Sequence, residues 1–210
     1  MSDTALPALR VALVGTGFAV KMQLPVFRAA GIEVTALWGR AADKAQRVAA
    51  EHGIPFATDD FDALLARSDV DVVSIVTPPF LHCEMTEKAL AAGKHVICDK
   101  PTAADLAEAQ RMREAAAAAP HQLSIVDHQA RFSPVAQGLR AALLDERAIG
   151  SILHVDAHFA VDPPFYTAHC WWHLRQKSGG VLGALGSHVV DLIHFLTGTR
   201  IVRVCASLHT

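Results

Sequence analysis

No stretch of this sequence approaches the roughly 20 consecutive apolar residues that a membrane helix needs, and no charged-then-apolar leader opens it. Neither export nor membrane insertion is therefore expected, and the expected location is cytoplasmic. Charge of one sign is missing too: 19 Lys and Arg stand against 21 Asp and Glu, a formal net of −2. With no basic or acidic block there is no electrostatic case for nucleic acid or a charged membrane surface as a partner. Cysteine is scarce. Cys83, Cys98, Cys170 and Cys205 are far apart and form no CxxC pair, which fits a reduced protein without a disulfide framework. The 12 histidines include no HExxH and no convincing i,i+4 ligand pair, so no metal site is expected. What the sequence does have is hydrophobic residues, 51% of 210. That is enough for a real core, in one large domain or two small ones.

The apolar residues are ordered. VALVG, IEVTALWG, a short segment from Ile54 to Phe56, VDVVSIVT and HVICDK read as strands. Helical patterns lie between them at 20–30, 42–52, 61–66 and 82–92, and another follows at 103–119; several stop at Gly31, Gly53, Gly93 or Pro120. Alternating strands and helices imply parallel strands joined by right-handed crossovers, hence a doubly wound α/β sheet. After Pro120 the pattern changes. QLSIVDHQA reads as a further strand, 134–147 as a helix, ILHVDAHFAV as an alternating strand, 181–197 as a helix and IVRVCASL as a last strand. The expected organisation is a dinucleotide-binding Rossmann domain over 1–120, followed by a partial α+β domain over 121–210 with a mostly antiparallel sheet.

The strand VALV runs straight into Gly15-Thr16-Gly17-Phe18. A buried strand that ends in glycines and turns into a helix can hold a dinucleotide pyrophosphate: Gly15 permits the tight turn and Gly17 lets the backbone approach the phosphates. The third glycine of the usual spacing is replaced by Val20. A glycine turn after any parallel strand would look similar. The second strand ends Leu37-Trp38-Gly39-Arg40. Gly39 takes the place where an acid would bind the ribose 2′-hydroxyl of NAD, and Arg40 suits the 2′-phosphate of NADP. The cofactor is expected to be NADP or NAD, with NADP favoured.

Further candidates lie at the same edge of the predicted sheet. The loop Thr77-Pro78-Pro79-Phe80-Leu81-His82 bends after the fourth strand, and Thr77, Pro78 and His82 could border the nicotinamide ribose; a plain strand-to-helix turn explains the prolines equally well, and His82 could simply sit in the first turn of the helix. Asp99-Lys100-Pro101 follows the fifth strand. A lysine there can reach a cofactor ribose or orient a substrate hydroxyl. In GSHVVD, His188 and Asp191 are three apart on a predicted helix and share a face. His188 could accept an alcohol proton with Asp191 orienting it, or it could be a core histidine. Trp171, Trp172 and His173 could wall a sugar-sized pocket.

The segments VALVGTGF, VSIVTPPFLHCEMTEKALAAGKHVICDKP, HQARFSP and GGVLGALGSHVVDLIHFLTG together resemble the GFO/IDH/MocA family of nicotinamide-dependent oxidoreductases. The resemblance implies a Rossmann domain and a C-terminal domain with a large open sheet that often forms a dimer interface. Oligomerisation through that sheet is therefore expected. It also implies hydride transfer between NAD or NADP and the hydroxyl or carbonyl group of a sugar, polyol or related small molecule. Lys100 then corresponds to the family's motif lysine, His188 to its catalytic histidine, and Gly15 and Gly17 to its phosphate-loop glycines. Both side chains would meet the substrate in a cleft between the domains. Asp99 stands where the family usually has Glu, and Ala184 where many members have Asp. The chain resembles roughly the first two thirds of a member. The alternative expectation is a truncated, non-catalytic chain that binds a dinucleotide or acts as a binding or oligomeric protein.

Overall fold

A computed structural model describes residues 9–159, 174, 177 and 180–207. Two compact units are present, Met1–Asp127 with Gln176–Ser178, and His128–Arg175 with Gly179–Thr210.

The first unit is built on six parallel strands: β1 (Arg10–Val14), β2 (Glu33–Trp38), β3 (Phe56–Thr58), β4 (Val72–Ile75), β5 (His95–Cys98) and β6 (Ser124–Val126), in the order β3-β2-β1-β4-β5-β6. The crossovers carry α1 (Leu24–Ala29), α2 (Ala42–His52), α3 (Phe61–Leu65), α4 (His82–Ala91) and α5 (Leu106–Ala118). A π-helical turn, Ala19–Gln23, runs directly into α1. Local chemistry sets several boundaries. Gly53 ends α2 in the left-handed conformation at φ 63°, which costs glycine little. Asp60 and Asp105 accept the N–H groups of Ala63 and Glu108 and cap α3 and α5.

Strand side chains alternate between the two faces of the sheet. Ala12, Val14, Ala36, Trp38, Val73, Ile75, Val96 and Cys98 pack with residues of α3, α4 and α5. Val11, Leu13, Val34, Leu37 and Val72 pack with Ala19, Val20, Leu24, Ala49 and Ile54. Val34 and Leu37 share a face because the β1–β2 register shifts, with Val11 opposite Val34 but Ala12 opposite Ala36. Intervening Thr35 donates its hydroxyl to the Asp69 carbonyl at 2.8 Å. Each large side chain fully buried this way contributes about 1.5–3 kcal/mol. The free thiols Cys83 and Cys98 lie in this core, and burial pushes the Cys98 thiol up to about 12.

The second unit contains α6 (Pro134–Arg140), capped by the Ser133 hydroxyl and continued by a π-helical segment Ala141–Asp145. A second π-helical segment, Leu182–Gly186, leads into α7 (Ser187–Thr197). The Arg140 guanidinium lies 5.0 Å from the Phe195 ring centroid and donates to the Phe195 carbonyl, tying α6 to α7. A cavity of about 430 Å³ in this unit is lined by Leu139, Leu143, Ile152, Leu192, Ile193 and Leu196, among others.

The expected antiparallel sheet is not formed: among the described residues every strand belongs to the parallel sheet of the first unit. The strand expected within QLSIVDHQA is β6, which pairs parallel to β5 with Cys98 opposite Val126, so the unit boundary falls at 127/128 and not at 120. Residues 152–159 and 201–207 alternate in sequence but are not strands. Alternation chooses a face, whereas a strand exists only where a neighbour takes its N–H and C=O groups. No helix among the described residues is long and apolar enough to cross a membrane.

Candidate functional site

The ladders place Val14 opposite Trp38 and Ile75, Ile75 opposite Cys98, and Cys98 opposite Val126. The turns that follow β1, β2, β4, β5 and β6 therefore gather at one edge of the sheet. The strand order reverses beside β1, and in open α/β sheets ligands bind at the carboxyl edge where this reversal occurs.

Gly15 sits at that point. Its φ is +130°, its N–H donates to the Trp38 carbonyl at 2.9 Å, and a Cβ there would lie 2.7 Å from the Val76 carbonyl oxygen. Any side chain would collide with the backbone leaving β4. Gly17 is the opposite case: it is exposed, and a Cβ would meet nothing within 4 Å. Its openness leaves room for a ligand against the backbone. Thr16 locks this turn to the next, since a Cβ on buried Gly39 would come within 2.6 Å of the Thr16 methyl. Phe18 is exposed at 55%. Val20, standing in place of the usual third glycine, is buried among Leu13, Leu24 and Ala49, so here a branched side chain fills the helix–strand contact. Arg40 is exposed directly after Gly39.

The turns after β4 and β5 are braced by His82. Its ring is fully buried, with Nε2 2.8 Å from the Thr77 carbonyl oxygen and Nδ1 3.0 Å from that of Pro101. Burial pushes its pKa down, against the two carbonyls and Asp99, which pull it up. A neutral ring donates to one of those carbonyls. His82 was expected to border the cofactor. Both nitrogens instead face the protein backbone, so its role is to hold the Thr77–Pro78 turn against the Lys100–Pro101 turn.

Asp99 is drawn toward its neutral form by burial, with neighbouring Asp127 adding to the effect. It accepts the Lys100 backbone N–H at 2.7 Å, which fixes the backbone that carries the lysine; the Lys100–Pro101 peptide is cis. Asp127, at the end of β6, is held by a chain the sequence did not disclose. Buried Ser74 donates to the Gln23 side-chain oxygen at 2.6 Å, and the Gln23 amide donates to Asp127 at 3.3 Å.

His188 and Asp191 belong to the second unit, His188 on the first turn of α7 and Asp191 on the second. Asp191 was expected to orient His188. Its buried carboxylate is gripped at both oxygens by Arg131, with Nε 2.6 Å from Oδ2. Arg131 is held further into its charged state by that carboxylate. His128 lies with Nδ1 3.5 Å from Asp191 Oδ1, and its ring meets that of His188 edge to face at 5.7 Å. The HQARFSP segment carries both residues; its only sequence signal was its place in the family pattern. Trp171, Trp172 and His173 lie outside the described residues.

A nicotinamide dinucleotide fits the first unit on its own geometry: a glycine-only turn at the strand-order reversal and an open backbone at Gly17. Comparison with known proteins agrees. Residues 9–127 match the oxidoreductase family with an NAD-binding Rossmann fold, and residues 140–210 match the GFO/IDH/MocA C-terminal domain. The human glucose-fructose oxidoreductase domain-containing protein 2 is 34% identical over 200 residues, covering 95% of this chain and 51% of the relative. An oxidoreductase domain protein from Kribbella flavida superposes with a TM-score of 0.85 at 33% identity, over 92% of this chain and 55% of the other. A levoglucosan dehydrogenase in complex with NADH superposes with a TM-score of 0.79 at 29% identity, over 90% and 54%. The chain thus spans about half the length of these relatives, less than the two thirds expected from its sequence. Its two matched segments, in this order on this fold, make the chain a member of the GFO/IDH/MocA oxidoreductase family.

Proposed function

We propose that this chain binds a nicotinamide dinucleotide and works in hydride transfer between that cofactor and the hydroxyl or carbonyl group of a sugar, polyol or related small molecule. The observation that carries this reading is the turn at Gly15, where only glycine fits and the neighbouring backbone at Gly17 is open. When bound, the nicotinamide supplies or accepts the hydride. The chain's own residues do the rest. N–H groups of the 15–18 turn receive the diphosphate. Lys100 orients the reacting hydroxyl with its ammonium, and His188 holds the hydroxyl proton as the carbon is oxidised and returns it in the reverse direction. Arg40 receives a 2′-phosphate, which makes NADP the preferred cofactor.

Turnover of a panel of polyols, sugars and carbonyl compounds, followed at the reduced-nicotinamide absorbance, tests this reading. Lys100→Met and His188→Ala should each lower turnover about 100- to 10,000-fold while cofactor affinity is kept. Unchanged turnover in Lys100→Met contradicts the assignment, and tighter binding of NAD than NADP contradicts the role of Arg40. A dinucleotide-binding chain without turnover is the second reading, favoured by Ala184, which has no proton-accepting group four residues before His188. Binding without turnover across the panel would support it.

A further inference from the structure

We propose that His128 is the positioning residue of His188, and that the Arg131–Asp191 ion pair sets it in place. The inference rests on the reading of His188 as the proton carrier, but its geometry belongs to the second unit alone. Four side chains from two distant stretches of sequence meet there. His128 precedes a 3-10 turn, Gln129–Phe132, that carries Arg131; His188 and Asp191 lie three residues apart in the first two turns of α7.

Asp191 is 8% exposed. A carboxylate so far from water is kept by a partner that neutralises it and fills its lone pairs. Arg131 does both through its planar fork, with Nε at 2.6 Å and a terminal nitrogen on the second oxygen. The guanidinium is steadied in turn, 5.7 Å from the Phe195 ring centroid on the next turn of α7. This two-point grip joins the 129–132 turn to α7 across 60 residues of sequence. It leaves the His128 backbone little freedom, because His128 opens that turn. Asp191 Oδ1 lies 3.5 Å from His128 Nδ1, and the His188 ring lies 5.7 Å from that of His128, centroid to centroid, at an interplanar angle of 84°.

An edge-to-face pair has directional preference beyond simple contact. For His188, on the first turn of a helix, such a ring selects one rotamer among those the backbone allows. The order of action is therefore Arg131 to Asp191, Asp191 to His128, and His128 to His188.

Histidine side-chain NMR on the full 210-residue chain tests the proposal, with His188 assigned from its loss in His188→Gln. His128→Ala should shift the His188 ring resonances as the neighbouring ring current disappears. His128→Phe, which keeps an aromatic edge, should hold His188 in its rotamer, read as the same side-chain scalar couplings and cross-relaxation pattern as the parent. Arg131→Gln leaves both imidazoles in the chain and should nonetheless weaken the cross-relaxation between them. If Arg131→Gln unfolds the second unit, Arg131→Lys gives the same reading with the charge retained. A parent spectrum without cross-relaxation between the two rings, or a His188 rotamer unchanged in His128→Ala, overturns the proposal whatever the turnover. Loss of the rotamer in His128→Ala combined with full turnover in His188→Ala would leave the positioning intact and refute the hydride-transfer reading instead.

Discussion

The two units of this chain answer the same demand in different ways. In the first, every strand finds a neighbour, helices pack on both faces of the sheet with only β6 left largely exposed, and Leu13, Leu37, Val73 and Ile75 have no exposure at all. In the second, α6 and α7 pack on each other, yet Leu153 is 94% exposed, Val202 97% and Val204 74%. Residues 152–159 and 201–207 carry strand-like alternation with no strand formed. Backbone pairing is the difference. A parallel sheet whose crossovers lie within 130 residues closes its own ladders, whereas alternating segments without a described neighbour keep their polarity pattern and gain no structure from it.

The contrast is broken most directly by truncating one leucine in each unit. Leu13→Ala removes a side chain with no exposure and should cost about 2–5 kcal/mol of stability in chemical denaturation. Leu153→Ala, at 94% exposure, should change stability by less than about 0.5 kcal/mol. Comparable losses in the two variants would show that the second unit has a core the described residues do not reveal.

The next largest effect concerns the Arg131–Asp191 ion pair of the second unit. Asp191→Ala leaves Arg131, whose side chain is 40% exposed, without its carboxylate. Since water can take over part of the guanidinium, the expected cost is about 1.5–3 kcal/mol. It should appear as an earlier unfolding of the second unit by hydrogen exchange, with the β1–β4 amides unaffected.

The smallest effect is a pH dependence in the first unit. Burial holds His82 below the ordinary histidine range. The folded state therefore binds this proton less readily than the unfolded chain does. The stability so contributed is present above the ordinary histidine pKa and is lost as pH falls through it toward the folded value. The melting temperature should decline as pH drops below about 6.5, and His82→Gln should flatten that decline. Asp69 and Asp71, held below the usual carboxylate range by Arg67 and Arg10 respectively, contribute in a separate window. Their stabilisation is present above the ordinary carboxylate pKa and is lost only as pH falls through the lower folded values.

The legible parts of the sequence were those where one residue type answers one local demand. Gly15 could be read because a strand ending in glycine before a helix has few uses, and its φ of +130° against the Val76 carbonyl gives the reason. The strand and helix order of the first unit followed from apolar runs and glycine stops, each a short-range signal. His82 was placed correctly in the chain but not in role: position at the ligand edge says nothing of burial, and both its nitrogens turn inward. Asp191 pairs with His188 in the sequence reading because residues three apart on a helix share a face. Its actual grip comes from Arg131, 60 residues away, and such a partner leaves no periodicity to read. Ser74, Gln23 and Asp127 were missed for the same reason, since their chain joins three separate elements. The second sheet was overread because alternation was taken as a strand without a partner for its backbone.

The account depends most on the turn after β1 as the seat of a cofactor diphosphate. Fluorescence titration of NADPH and NADH into the parent chain and into Gly17→Val tests it with little interference from folding, because Gly17 is exposed and a Cβ there meets nothing within 4 Å. The predicted result is saturable binding by the parent, tighter for NADPH, and loss of that binding in Gly17→Val at an unchanged melting temperature. Equal cofactor affinity in the parent and Gly17→Val would contradict it.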